Sequence, residues 1–596
     1  MSGSSLTKML SSGAFMVAVF CVCLISTVVA RRANDVSAVN KHGDSLKDSS
    51  TFQVALASTT ALVAGYWFNT NSSSSKSNNK PKASSFPPNG NMEEDRLNYN
   101  NYPRGKDGFP LENKDKTLIW REDGGISKLV PVHPTNKSIK EKKLKKFTMK
   151  EVAERCTARE AWIIIDERVY DITTFISKHP GGEKVLYAMA GKDCTDAFAN
   201  YHSAAIYQKW LPPYLIGEVT DVPKYPHVQD FRNIRQELLR RGLFETDLTY
   251  YNKLACWYAI LLLTSLYLSI FCISTVARMT GALVMGFFWQ QLAGTGHDIG
   301  HSSLSHNFAQ DNYYGALFGN ALMGISVGWW KRSHNLHHIV CNSVENDCDI
   351  QHLPFLACTE KILEKPFWST YHDKVMSMDF AAKFLVQFQH ILFPIIMAVA
   401  RFNLYAQSWI LLLTTTNKDA VVMNYRNEEA IGLGIFVAWV SALLWSMPTY
   451  TESLGWLLLS HGSTALLHLQ ICYSHFSMET YHGTAYNGAD DEWYKMQIKT
   501  TMNTDCYDLM DWFHIGLQYQ IEHHLFPTLP RHNLPIAKKM VEEVCRKHDI
   551  EYQEHTFYQG VCKTMRALRD TAIAARSGKY DVHSADMIRD LMNAHG

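Results

Sequence analysis

The sequence predicts a multispanning α-helical membrane protein, with four transmembrane helices plus interfacial helices, fused to a small α+β domain. Three observations predict it. Uncharged apolar runs at 254–277, 279–296, 430–451 and 453–478 are each about long enough to cross a hydrocarbon core of roughly 30 Å. Ahead of them, a compact segment at 146–221 carries its own short strand and turn signals. After apolar stretches come three histidine clusters: His297-Asp-Ile-Gly-His301, His334-Asn-Leu-His337-His338 and Gln520-Ile-Glu-His523-His524.

At 596 residues the chain has room for several domains. Its 58 basic and 57 acidic residues balance, which gives no argument for a nucleic-acid partner. The 13 cysteines are scattered, with only Cys21 and Cys23 close together, so neither a disulfide framework nor a cysteine-type zinc site is indicated.

The first 145 residues read separately. Residues 9–30 follow Lys8 and end in Val28-Val-Ala30, the pattern of either a signal peptide or a signal anchor. A second apolar segment, Phe52–Phe68, completes the region 1–68. Residues 69–145 are rich in Ser, Asn and Lys and read as a disordered linker, with a weak sequon at Asn136.

The 146–221 segment opens with Thr148-x-x-Glu151, a capping-box pattern. Trp162–Ile165 and Val169–Ile172 are strand signals around a turn. His179-Pro-Gly-Gly182 is followed by His202, and two imidazoles on opposing helical hairpins can ligate both axial positions of a haem iron. The segment resembles cytochrome b5 throughout, since the HPGG loop, the DAF-x-x-YH context and the closing IGEV occur in order. That resemblance implies a coordinatively closed haem, which carries electrons and does not bind oxygen.

Residues three and four apart share a helix face, so each cluster points two or three imidazoles one way. Seven histidines with Gln520 in line exceed the four ligands of one tetrahedral zinc. Imidazole ligation of two redox metals, iron first among them, fits better. The metal ligands expected are His297, His301, His334, His337, His338, Gln520, His523 and His524. His461, His468 and His475 recur every seven residues near one helix face, and His468 and His475 are added to the ligand set. Asp298, Glu522, Asp347 and Asp349 are candidates for orienting imidazoles. Lys331, Arg332 and Arg531 are candidates for lipid head groups.

Crossing parity tests the arrangement. With the 146–221 domain cytosolic, the hairpins 254–296 and 430–473 each return the chain to its starting side. The stretch 384–413, interrupted by His390, Pro394 and Arg401, is expected to lie as interfacial helices, which keeps all three clusters on one face.

The order haem domain, HD-x-x-H, H-x-x-HH, Q-x-x-HH is similar to the cytochrome b5-fusion front-end lipid desaturases, with a membrane desaturase domain at 250–580. Within them, Gly328-Trp-Trp-Lys331, His338-Ile-Val-Cys-Asn-Ser343, Asp349–Pro354 and Asp511-Trp-Phe-His514 look closest to sphingolipid Δ8 (long-chain base) desaturases. The chain departs from the pattern at Cys348, where the family usually has proline, at Ile515, which replaces a glycine, and at Ser474, which replaces an asparagine.

The resemblance implies an oxygen-dependent diiron desaturase. Its cofactors are haem b and two iron ions, dioxygen is the co-substrate, and electrons come ultimately from NADH through NADH-cytochrome b5 reductase. The substrate is a membrane lipid, a ceramide long-chain base or an acyl chain. The location is the endoplasmic reticulum membrane, with haem domain and active site facing the cytosol. A front-end acyl desaturase and a lipid hydroxylase are the alternatives, separated by product analysis. A zinc hydrolase is disfavoured by the ligand count and by the lack of a His-Glu-x-x-His helix.

Overall fold

The computed structural model describes residues 144–414, 425–486 and 488–580. The apolar segments within 1–68, the linker up to residue 143 and its sequon lie outside the described residues.

The first domain is built on five strands: β1 (Lys145–Phe147), β2 (Cys156–Thr157), β3 (Glu160–Ile165), β4 (Arg168–Asp171) and β5 (Leu215–Val219). They lie in the order β1-β5-β4-β3-β2, with β1 parallel to β5 and the other pairs antiparallel. The β3–β4 turn uses Asp166 and Glu167 at φ 50° and 61°, the left-handed pair a tight hairpin needs. Period-two alternation divides β3 between two layers. Ile163 and Ile165 enter the main core, whereas Ile164 packs with Val152, Val169 and Val219. Helix α1 (Met149–Ala153) carries the expected capping box between Thr148 and Glu151. Helices α2 (Glu183–Met189) and α3 (Thr195–Tyr201) follow the sheet's central hairpin, and α3 runs directly into His202.

Helix α4 (Pro226–Arg240) starts with proline in its first turn, where the missing N–H costs nothing. It buries Phe231, Ile234 and Leu238. One apolar cluster runs from Ile163 and Ile165 through these residues to Leu336, Ile339, Tyr494 and Ile521, so the first domain and the histidine clusters share a continuous core.

The remaining helices of note are α5 (Leu248–Ile270), α6 (Thr275–Gly300), α7 (Val327–Val340), α8 (Gln389–Thr414), α9 (Arg426–Trp445), α10 (Tyr450–Gly462), α11 (Ala465–Phe476), α12 (Trp493–Lys499), α13 (Gln520–Leu525), α14 (Leu534–Lys547) and α15 (Phe557–Arg576). The chain divides into two compact units. Described residues 255–288 and 434–460 form one. Inside it, Ser265 Oγ donates to the Gly281 carbonyl at 2.7 Å, Trp456 Nε1 donates to Ser269 Oγ at 2.9 Å, and Arg278 pairs with Glu452. The first domain, all three histidine clusters and α8 belong to the other unit.

Among the described residues three helices are long and apolar enough to cross a membrane: α5, α8 and α9. This differs from the four expected spans in three places. Helix α6, which contains the expected span 279–296, is not among the three. The stretch expected as interfacial helices, 384–413, contains the continuous 26-residue helix α8, with Pro394 inside it. The run 453–478 is broken between Gly462 and Ala465, which places His461 on α10 while His468 and His475 stay on α11.

Candidate haem and metal centres

His179 ends a short 3-10 turn and His202 caps α3. Each donates its Nδ1–H to a backbone carbonyl, Gly182 at 3.0 Å and Phe198 at 3.1 Å, which leaves each Nε2 lone pair free to ligate. The ring centroids are 6.1 Å apart. That gap accepts one metal ion with an imidazole bond of about 2 Å on each side. Burial, then the facing His179, pushes His202 down to about 3, so its ring is neutral as a ligand must be. The Pro-Gly-Gly loop is spatially required, since a Cβ on Gly181 would lie 2.7 Å from His179 Cε1. These residues fit an axially ligated haem.

The three clusters converge into two adjacent groups. His297, His301, His334, His338 and His523 present ligand atoms all within 4.8 Å of one another. His337, Cys341, His475 and His524 do the same. In the first group, His338 Nε2 lies 3.0 Å from His334 Nε2 and 3.1 Å from His523 Nε2. Such spacing matches neighbouring ligands around an ion with bonds of ~2.1 Å, whose polyhedron edges are about 3.0–3.4 Å. Helix spacing produces the convergence: box one ends α6, box two fills the last two turns of α7, and box three is α13. Glycine permits the close approach, because a Cβ on Gly300 would fall 1.9 Å from the Trp330 ring.

In the second group every histidine has its far nitrogen fixed. His337 Nδ1 donates to Asp347 at 3.0 Å, His524 Nδ1 to Gln497 Oε1 at 2.9 Å, and His475 Nδ1 to the Thr500 carbonyl at 3.2 Å. Gln520 reaches His475 Nε2 at 3.1 Å and its Oε1 is buried without a partner. His297 Nε2, both ring nitrogens of His301 and His524 Nε2 are likewise buried and unpartnered. Orphaned buried nitrogens are costly unless something fills the space between them. A donor set of imidazoles plus one amide oxygen suits two iron ions.

His468 lies in neither group. Its Nδ1 bonds the Met397 carbonyl at 2.8 Å. Asp347 orients an imidazole as expected, and Asp349 lies 3.6 Å from His337 Nδ1. Asp298 instead pairs with Arg531 at 3.2 Å and accepts from Tyr251, and Glu522 accepts from Asn503 and Tyr552. Arg531 and Lys331 are therefore interior, the latter donating to Asn312 at 2.8 Å, and neither is placed to meet lipid head groups. Cys348 is buried against Asp349, and Ser474 Oγ donates to the Ile471 carbonyl. Sequence reasoning missed Gln497 and Thr500. They reach the histidines only through folding of α12 and carry no motif of their own.

The first domain touches the metal groups directly. Tyr201, next to His202, meets His338 edge-on with ring centroids 6.5 Å apart. Arg232 of α4 forks onto Asp196 of α3 at 2.7 and 2.9 Å, and Tyr494 donates to the same carboxylate.

Comparison with known proteins follows this division. The Fatty acid desaturase family matches residues 274–556, and the Cytochrome b5-like Heme/Steroid binding domain matches 148–220. The chain is 34% identical over 462 residues to the "Acyl-lipid (9-3)-desaturase" of Borago officinalis, covering 76% of this chain and 99% of that one. It is 34% identical over 444 residues to the "Delta(8)-fatty-acid desaturase 2" of Arabidopsis thaliana, with 73% and 95% covered. It is 29% identical over 510 residues to the "Delta 8-(E)-sphingolipid desaturase" of Komagataella phaffii, with 71% and 92% covered.

Proposed function

Because the chain belongs to the cytochrome b5-fused front-end desaturases, membrane oxidoreductases of lipids, we propose that it places a double bond at the eighth carbon of a sphingolipid long-chain base. The observation that carries this reading is the recurrence of position eight in the names of both plant and yeast relatives. The sequence stretches around boxes two and three support the sphingolipid substrate. The acyl-lipid relative and the plant relative named a Delta(8)-fatty-acid desaturase favour a second reading, desaturation of a fatty acyl chain.

The histidine groups would hold two irons, which would supply the oxidant that no side chain provides, and His179 and His202 would hold a haem that would supply electrons singly. The chain's own part is positional. His297, His301, His334, His337, His338, His475, His523, His524 and Gln520 hold the metals, while Asp347, Gln497 and the Thr500 carbonyl fix ring orientation. Apolar helices shape the slot that sets which carbons meet the metals. In this reading both centres face the cytosol at the endoplasmic reticulum, and NADH-cytochrome b5 reductase would be the partner that supplies electrons to haem b.

The test is expression in a yeast lacking long-chain-base desaturation, with profiling of sphingolipids and fatty acids. New double bonds confined to acyl chains overturn the sphingolipid reading, and hydroxylated products without new double bonds overturn desaturation. His523→Ala should abolish product while leaving the haem absorbance intact.

A further inference from the structure

Arg401 sits at the middle of α8 with none of its surface exposed. Among the described residues no carboxylate pairs with it. Its Nε donates to Tyr405 Oη at 2.7 Å and one terminal nitrogen donates to the Met323 carbonyl at 2.7 Å. The guanidinium carbon lies 4.3 Å from the Trp289 ring centroid, a cation–π contact that offsets part of the cost of burying the charge. The other terminal nitrogen, Nη1, is buried with no partner. An ionisable group inside an apolar helix is expensive and is retained where it is used.

His468 supplies a complementary atom. Its Nδ1 bonds the carbonyl of Met397, one turn before Arg401 on α8. A carbonyl only accepts, so Nδ1 carries the proton and Nε2 presents a lone pair. That Nε2 is also buried and unpartnered, and His468 is outside both metal groups. One helical turn of α8 thus brings together an unused donor on Arg401 and, through Met397, an unused acceptor on His468. An ester or amide carbonyl satisfies only the first. A hydroxyl satisfies both, accepting from the guanidinium and donating to the imidazole.

We propose that Arg401 and His468 form a binding site for a hydroxyl group of the lipid substrate, fixing the chain relative to the metals. The proposal rests on the sphingolipid reading and deepens it, because a long-chain base carries hydroxyls at its polar end. Depth agrees with it. His468 and the metal-facing His475 are seven residues apart on α11, which at 1.5 Å per residue is about 10 Å. A carbon–carbon bond of ~1.5 Å at an angle of ~111° advances an extended chain by roughly 1.25 Å, so that distance is about eight bonds.

The experiment uses the full chain, loaded with haem and iron in lipid nanodiscs, and measures affinity for a ceramide and its 1-deoxy and 3-deoxy analogues. One deoxy analogue should bind roughly tenfold to a hundredfold more weakly than the ceramide, the effect of losing a hydrogen bond to a charged group. Arg401→Met and His468→Phe should each weaken ceramide binding towards the level of that analogue, leave the analogue's own affinity unchanged, and retain iron and haem. Equal wild-type affinity for all three lipids overturns the site whatever the variants do. Loss of iron from His468→Phe also overturns it, by returning that histidine to the metal shell. The preceding reading fails separately, on the yeast product profile. Acyl-only products with hydroxyl-dependent ceramide binding would leave the site standing.

Discussion

Ile515 occupies the left-handed region at φ 53°, ψ 22°, at the end of the short helix Asp511–His514. Left-handed backbone costs an L-residue about 1–2 kcal/mol, and glycine, the residue usual in this family, gives back roughly 0.5–1 in unfolded-chain entropy. Ile515→Gly should therefore raise stability by about 0.5–1 kcal/mol, read from thermal unfolding of the purified protein. At the metals, Asp347→Asn removes the carboxylate that holds His337 and is itself wholly buried. Iron affinity should fall about 10–100-fold in a chelator titration, with haem absorbance unchanged. The box residues were legible in the sequence because i, i+3 and i, i+4 spacing is a local fact of helices. His468 shows the limit of that logic. Sharing a face with His475 does not mean sharing a depth, and the two lie about 10 Å apart along the axis.

At the scale of elements, α4 is the strap between the two chemistries. It follows the last strand of the first domain, buries Phe231 against Tyr494 with ring centroids 4.8 Å apart, and pairs Arg232 with Asp196. Asp196→Ala should cost about 2 kcal/mol locally, since charged hydrogen bonds are lost and a half-buried cation is left alone. Hydrogen exchange of the α4 amides should then speed up while those of β3 and β4 stay protected. The short strands and capping box of the first domain were legible from alternation and turn chemistry. Helix α8 was not. His390, Pro394 and Arg401 argued for an interrupted segment, but Pro394 lies near the helix start, and Arg401 is received by Tyr405 one turn on and by Met323 and Trp289, which only folding brings near. Pattern reading prices a charge against lipid; the structure prices it against its neighbours.

For the whole molecule, residues of all three boxes come together although α8 is long and apolar enough to cross a membrane. Counting crossings required 384–413 not to span, whereas the structure gathers box one, box two and box three residues in one group with α8 continuous. Removing iron should abolish product yet leave NADH-dependent haem reduction intact, measured by the reduced haem spectrum, because the His179–His202 seat shares no residue with the metal groups. The contact between Tyr201 and His338 has a kinetic meaning as well. A donor built into the same compact unit replaces a bimolecular encounter with a first-order step, so turnover per molecule should not change when the enzyme is diluted in its membrane at saturating reductase and substrate. For such a chain, output follows the number of molecules present and not how crowded the membrane is with separate carriers.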